Sequence, residues 1–174
     1  MKILITGKPR SGKTTLIKNI LASMPKLSYG GFFTEEIKEN NLRVGFKIRT
    51  TYGDEAIMSY MDFKSKFHIA KYGINIAAID TVGISSLQRA AKEKDIIVID
   101  EIGKMEMCSK RFNGTVHEIF SKTDNTIIAT IPISTSIPLI NELKTQKDVK
   151  IFDTRIDSID NIKSACLELL KSQT

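Results

Sequence analysis

Residues 7–15 read GKPRSGKTT, directly after the apolar run KILIT at positions 2–6. Gly7, Gly12, Lys13 and Thr14 fit the pattern G-x-x-x-x-G-K-[ST], and each residue type has a physical reason to be there. Glycine lets a backbone turn tightly and approach a ligand closely where a Cβ would intrude. Successive N–H groups can then point inward at phosphate oxygens, reinforced by the positive end of the helix that follows. Lys13 is placed to reach the β and γ phosphates of a nucleotide, and the Thr14 hydroxyl to ligate Mg2+. With average glycine usage at ~7%, a chance match in a chain of this length has a probability of roughly one per cent or less. The match also stands between a strand candidate and a helix candidate, the context a phosphate loop requires. Lys8, Pro9, Arg10, Ser11 and Thr15 complete the expected nucleotide-binding loop; Lys8 and Arg10, in its free positions, can add charge against the phosphates but read first as solvated side chains.

Working outward, GKTTLIKNILASM continues as a helix with Leu16, Ile17, Ile20 and Met24 on one face, ended by Pro25. GGFFTEEIKENNLRVGFKIRTT reads as two strands about Asn40-Asn41, because asparagine tolerates the positive φ of a tight turn. The stretch from there to about residue 75 has no clear period. INIAAID reads as a further strand and VGISSLQRAAKEK as an amphipathic helix. DIIVIDEIG carries four consecutive apolar residues, Ile96 to Ile99, closed by Asp100; such a run suits a strand covered on both faces. TIIATI and VKIFD are similar, with helices expected near 109–122 and 137–147. A last helix near 158–172 places Ile159, Ile162, Cys166 and Leu169 on one stripe. Strand and helix alternate through the second half. The expected fold is therefore α/β, a mostly parallel sheet with helices on both faces and an added antiparallel hairpin near residue 40. With neither repeats nor linkers, residues 1–174 are expected to form a single domain.

The end of the 96–100 strand supplies the second chemical element. Asp100 is placed to hold Mg2+ or one of its waters, and Glu101, one residue further toward the γ phosphate, to orient and deprotonate water. Strand C-terminal edges face the ligand crevice in open α/β sheets, which favours this role over that of a solvated acid. Together with the phosphate loop, GGFFTEEI, KYGINI, VIDEIGKMEM, ATIP and KDVKIF occur in an order that resembles the THEP1 family of nucleoside-triphosphatases. The similarity runs from Met1 to about Leu170, and DEIGKME beside the phosphate loop is its most specific part. The resemblance implies a P-loop NTPase fold similar to RecA-like proteins. It also implies hydrolysis of the γ phosphate of ATP, GTP and other nucleoside triphosphates. Nucleotide contacts are implied for the loop from Gly7 and for Ile97, Val98, Ile99, Asp100, Glu101, Ile102, Gly103 and Lys104.

Lys13 and Glu101 are thus the expected catalytic residues, and Thr14 and Asp100 the expected metal ligands. Glu35 and Glu36 point to opposite faces of a strand, so only one of them can approach the nucleotide. Lys104, Lys110 and Arg111 are the cations near the acidic motif available to neutralise transition-state charge, with a surface cation as the plainer reading of each alone. A guanine-reading N-K-x-D motif is missing: SKTD at 121–124 precedes its strand, and TQKD at 145–148 has its lysine displaced. Weak discrimination between bases is the consequence. Two other classes stay open. One is a small-molecule or nucleotide kinase, against which the six scattered arginines speak; the other is a nucleotide-sensing module for RNA or protein. Turnover without an acceptor separates the first, and stimulation by polynucleotide the second.

Composition sets the remaining bounds. The hydrophobic fraction of 41% and charged fraction of 26% describe a globular chain. No segment approaches the ~20 apolar residues needed to span a bilayer, and the N-terminus does not resemble a signal peptide. A cytoplasmic monomer acting on a small-molecule nucleotide, away from membranes, is expected. The net charge of +6 suits polyanions. Without a basic block or an RNA-binding motif, nucleic acid is the minor reading. Cys108, Cys166, His68 and His117 form no metal-ligand spacing, and the thiols read as reduced.

Overall fold

The computed structural model describes residues 1–172. In chain order it contains β1 (Lys2–Thr6), α1 (Lys13–Ala22), β2 (Tyr29–Glu39), β3 (Leu42–Thr50), β4 (Glu55–Tyr60), β5 (His68–Ile69) and β6 (Tyr72–Ile74). These are followed by α2 (Ile76–Ala78), a π-helical turn at Ile79–Gly83, α3 (Ile84–Glu93), β7 (Ile96–Asp100) and a 3-10 turn at Glu106–Cys108. The chain then continues through α4 (Lys110–Lys122), β8 (Thr126–Thr130), α5 (Pro138–Thr145), β9 (Val149–Asp153) and α6 (Ile159–Lys171).

The strands form one sheet in the order β5-β6-β4-β3-β2-β7-β8-β1-β9. The five strands from β2 to β9 are parallel neighbours. From β2 outward through β3, β4, β6 and β5 the pairings are antiparallel. The expected hairpin near residue 40 is therefore the first part of a larger antiparallel wing. Asn40 and Asn41 turn it with φ of 47° and 63°, a conformation asparagine adopts more readily than most residues.

Strand alternation builds the two cores. Leu4, Ile97, Ile99, Ile127 and Ala129 point to one face, where they pack with Leu87 and Ala90 of α3, Phe112 and Val116 of α4, and Ile140 and Leu143 of α5. Ile3, Ile5, Ile96, Val98 and Ile128 point to the other, against Leu16, Ile17 and Ile20 of α1 and Ile162, Cys166 and Leu170 of α6. A strand apolar at every position is what two covered faces demand. On α6 the buried stripe is Ile162, Cys166 and Leu170, at i, i+4 and i+8. Leu169, placed on that stripe from the sequence, is only half-buried. Burial pushes the Cys166 thiol up to about 12, so it serves as a small apolar side chain.

INIAAID is not a strand beyond its first residue, Ile74, which ends β6. The Asn75 side chain accepts a hydrogen bond from the Ala78 N–H at 3.2 Å and starts helical structure there. Helical segments then follow one another from Ile76 to Glu93. An N-cap asparagine supplies the acceptor that the first turn lacks. The same device starts α4, where Ser109 accepts from the Phe112 N–H, and α6, where Ser158 accepts from the Asn161 N–H.

One feature of register shapes the functional edge. β2 pairs with β7 only from Tyr29↔Ile96 to Phe33↔Asp100, yet it continues to Glu39. Its last residues, Glu35 and Glu36 among them, extend past the C-terminal end of β7. They carry the antiparallel wing with them, so the wing stands beside the edge where the parallel strands end.

Candidate active site

The loop between β1 and α1 folds tightly on itself. A Cβ on Gly7 would come within 1.9 Å of the Thr154 hydroxyl oxygen, so the strand-end segment after β9 packs directly on the loop. Gly12 has φ 86° and caps α1 with no side-chain acceptor, which leaves the first-turn N–H groups of α1 without a capping side chain. Lys13 Nζ lies back over the loop, donating to the carbonyls of Gly7 and Lys8 at 3.1 Å each. Thr154 donates to the Ser11 hydroxyl at 2.9 Å.

Asp100 ends β7 one strand away from β1, with β8 between them. Thr14, in the first turn of α1, donates to Asp100 Oδ2 at 2.6 Å, and Thr130 at the end of β8 donates to Asp100 Oδ1. Asp100 is 4% exposed. Burial raises its pKa, opposed by the hydrogen bonds from Thr130 and Thr14 and by the charge of Lys13. Burial likewise raises Glu101, with Lys13 opposing and Asp100 adding to the shift. The Asp100–Glu101 peptide is cis. Behind Glu101, Glu106 is almost wholly enclosed; burial, with Glu101 beside it, lifts its carboxyl to about 8. Thr34 donates to it at 3.2 Å.

Pro9, Arg10, Gly12, Lys13, Thr14, Thr15, Asp100 and Glu101 line a cleft of about 470 Å³, joined there by Glu36, Arg43 and Phe46 from the antiparallel wing. The sequence-derived positions divide at this point. Ile97, Val98, Ile99 and Ile102 are fully buried in the cores. Gly103 and Lys104 line a second cavity of about 260 Å³ with Thr34, Met58, Met105 and Glu106. Of the 97–104 segment, Asp100 and Glu101 therefore reach the cleft. Lys8 is exposed and offers its carbonyl to Lys13. Arg10 is exposed, as a solvated cation is, and also donates to both oxygens of Glu36, the closer at 3.1 Å. Glu35 faces the other way, within 4.0 Å of Lys18, Lys47 and Arg49.

Sequence reasoning alone does not assign Thr130, Arg43, Phe46 or Glu106 to the site. Thr130 carried a signal, since a hydroxyl residue closing an apolar strand belongs to the same C-terminal edge as Asp100. Glu36 was one of two alternatives. Arg43 and Phe46 depend on how far β2 overruns β7, which no local pattern encodes.

A strand, a glycine loop and a helix, with a lysine over the loop and a buried aspartate at the end of the next strand but one, define the P-loop class of nucleoside-triphosphate-binding proteins. A family model described as NTPase matches residues 2–167. Nucleoside-triphosphatase THEP1 of Thermotoga maritima is 42% identical over 171 residues, spanning 98% of this chain and 96% of the relative. The crystal structure of THEP1 from Aquifex aeolicus matches with a TM-score of 0.81 at 37% identity, over 93% of this chain and 96% of that one. The solution structure of a human cancer-related nucleoside triphosphatase matches with a TM-score of 0.82 at 27% identity, over 99% and 98%. The chain belongs to this family of nucleoside-triphosphatases. Among the described residues no helix is long and apolar enough to cross a membrane.

Proposed function

We propose that the protein is a Mg2+-dependent nucleoside-triphosphate phosphohydrolase that gives the γ phosphate to water with little regard for the base. We take it to act as a single domain and a cytoplasmic monomer. The observation that carries this reading is the presence of Lys13, Asp100 and Glu101 on one cleft. N–H groups of the loop and of the uncapped first turn of α1 bind the phosphates, and Lys13 exchanges its bonds to Gly7 and Lys8 for phosphate oxygens. Glu101 takes a proton from water as that oxygen bonds to the γ phosphorus and the bond to the β-phosphate oxygen breaks, leaving nucleoside diphosphate and phosphate. A carboxylate raised toward neutrality is a better base near pH 7 than an unperturbed one.

Thr14 and Asp100 fit Mg2+ by their chemistry: hard oxygen donors, held together at 2.6 Å. Among the described residues no group of three or more acids, histidines or cysteines is placed to hold a metal. A two-residue set suits an ion that keeps several waters and shares its shell with phosphates. When bound, Mg2+ offsets charge on the β and γ phosphates.

A phosphotransferase reading has one observation in its favour, the cavity beyond Glu101 lined by Thr34, Met58, Met105 and Glu106. Phosphate release measured with ATP and with GTP, with and without Mg2+ and without added acceptor, separates the two. The hydrolase reading expects release that needs Mg2+, with ATP and GTP within about tenfold of each other, or about 1.4 kcal/mol. No release without an acceptor would favour transfer. A thousandfold preference for one base would mean a base-reading pocket.

A further inference from the structure

Triphosphate hydrolysis spreads charge over the transferred phosphoryl oxygens, and P-loop enzymes answer it with an arginine besides the loop lysine. The three cations near the acidic motif in sequence are poorly placed for this. Arg111 pairs with Asp80 at 3.5 Å, Lys110 is exposed on α4, and Lys104 lines the cavity behind Glu101. None of them lines the cleft.

Arg43 does. It comes from β3, on the wall of the antiparallel wing, and shares the cleft with Lys13, Thr14, Asp100 and Glu101. Its guanidinium is held on three sides. Nε donates to the Tyr72 hydroxyl at 3.1 Å, and Nη1 donates to Glu36 Oε1 at 3.0 Å. The guanidinium carbon lies 5.0 Å from the centre of the Phe46 ring. The Tyr72 hydroxyl in turn donates to the Arg43 carbonyl at 3.2 Å, fixing side chain to backbone. Among the described residues Nη2 has no hydrogen-bond partner, so N–H groups of the fork remain for an anion.

Glu36 carries more positive charge than it can neutralise. Arg10, Lys38 and Arg43 all lie within 3.4 Å of its carboxylate. Burial works against its ionised form, but hydrogen bonds from Arg10 and Arg43 hold its pKa below the ordinary value. The cluster is one anion with three cations, beside the loop that carries Lys13. A polyanion is the ligand that completes it. Of the two arginines, Arg10 is 67% exposed and Arg43 is 37% exposed. The less solvated and more firmly held cation acts more strongly on a developing charge.

We infer that Arg43 is a catalytic residue: the chain's own arginine finger, which contacts the terminal phosphate from the wing side of the cleft. Glu36 is the positioning residue that holds it when no nucleotide is bound. This rests on the hydrolase reading above. Arg43 donates to the γ-phosphate oxygens as the bond to the β-phosphate oxygen breaks, and Glu36 keeps Arg10 and Lys38.

The test compares the full chain with Arg43→Ala and Arg43→Lys. It measures Mg2+·ADP binding, single-turnover ATP hydrolysis, and the tightening of ADP binding by aluminium fluoride, a mimic of the transferred phosphoryl group. Arg43→Ala is expected to bind Mg2+·ADP within about threefold of the parent and to hydrolyse on the order of 10³-fold more slowly. It should lose the tightening by aluminium fluoride and regain part of its activity with millimolar guanidinium ion. If the alanine variant does not melt as a folded protein, Arg43→Lys decides, with slowed hydrolysis and unchanged ADP binding expected. Hydrolysis within about tenfold of the parent overturns the inference, as does a loss of ADP binding as large as the loss of hydrolysis. A parent that releases no phosphate overturns the hydrolase reading and this inference with it. An active parent with an equally active Arg43→Ala overturns the inference alone.

Discussion

At the scale of single residues, the site is set by what surrounds its acids. Asp100 stays at a strand end because two hydroxyls, Thr14 and Thr130, occupy both its oxygens. Among the described residues Glu106 has only Thr34 as a side-chain donor and lies next to Glu101, so burial dominates and lifts its carboxyl from an ordinary 4.5 to about 8. The sign of the consequence is fixed by linkage. Below about pH 4.5 the folded and unfolded states both hold the proton. Between there and about pH 8 the unfolded chain releases it while the folded chain keeps it, so stability falls as pH rises. Glu106→Gln keeps the shape of the neutral acid and removes this loss. Urea unfolding at a series of pH values should show the variant gaining on the parent between pH 5 and 8, with a slope of up to about 1.4 kcal/mol per pH unit. Parallel stability curves would mean that Glu106 is not held neutral in the folded protein.

At the scale of elements, what was legible in the sequence is what short-range chemistry dictates. The phosphate loop, the all-apolar strand ending in Asp100 and the Asn40-Asn41 turn each follow from local requirements on backbone or burial. The helical start at Ile76 was not legible, because Ile74, Asn75 and Ile76 alternate as a strand would, while Asn75 acts as a cap. β5 and β6 were equally opaque, with two residues and three, too few to display a period. The cap can be tested directly. Asn75→Ala removes the acceptor for the Ala78 N–H and the Nδ2 bond to the Ile57 carbonyl at 3.2 Å. It should lower stability by about 1–2 kcal/mol, seen as a lower urea midpoint with unchanged slope. An unchanged midpoint would mean that the helix is anchored by packing alone. The two Asn75 bonds would then contribute nothing measurable.

At the scale of the whole molecule, the cleft exists because two kinds of sheet meet. The parallel half supplies the phosphate loop, Asp100 and Glu101 from strand ends. The antiparallel half supplies Glu36, Arg43 and Phe46 by carrying β2 beyond β7. The first wall was readable from motifs; the second arises from long-range register and was not. The chemistry proposed for this cleft is transfer of phosphate to water with Glu101 as the base. The most direct test is Glu101→Gln, with nucleotide binding and single-turnover phosphate release measured on the same preparation. Removing the carboxylate while keeping its shape should leave Mg2+·ATP binding intact or slightly tighter, since a negative charge near the γ phosphate is gone. Phosphate release should fall by about 10²–10⁴. Release at the parent rate would remove Glu101 from the chemistry, and loss of nucleotide binding together with release would make it a structural or metal-binding residue instead.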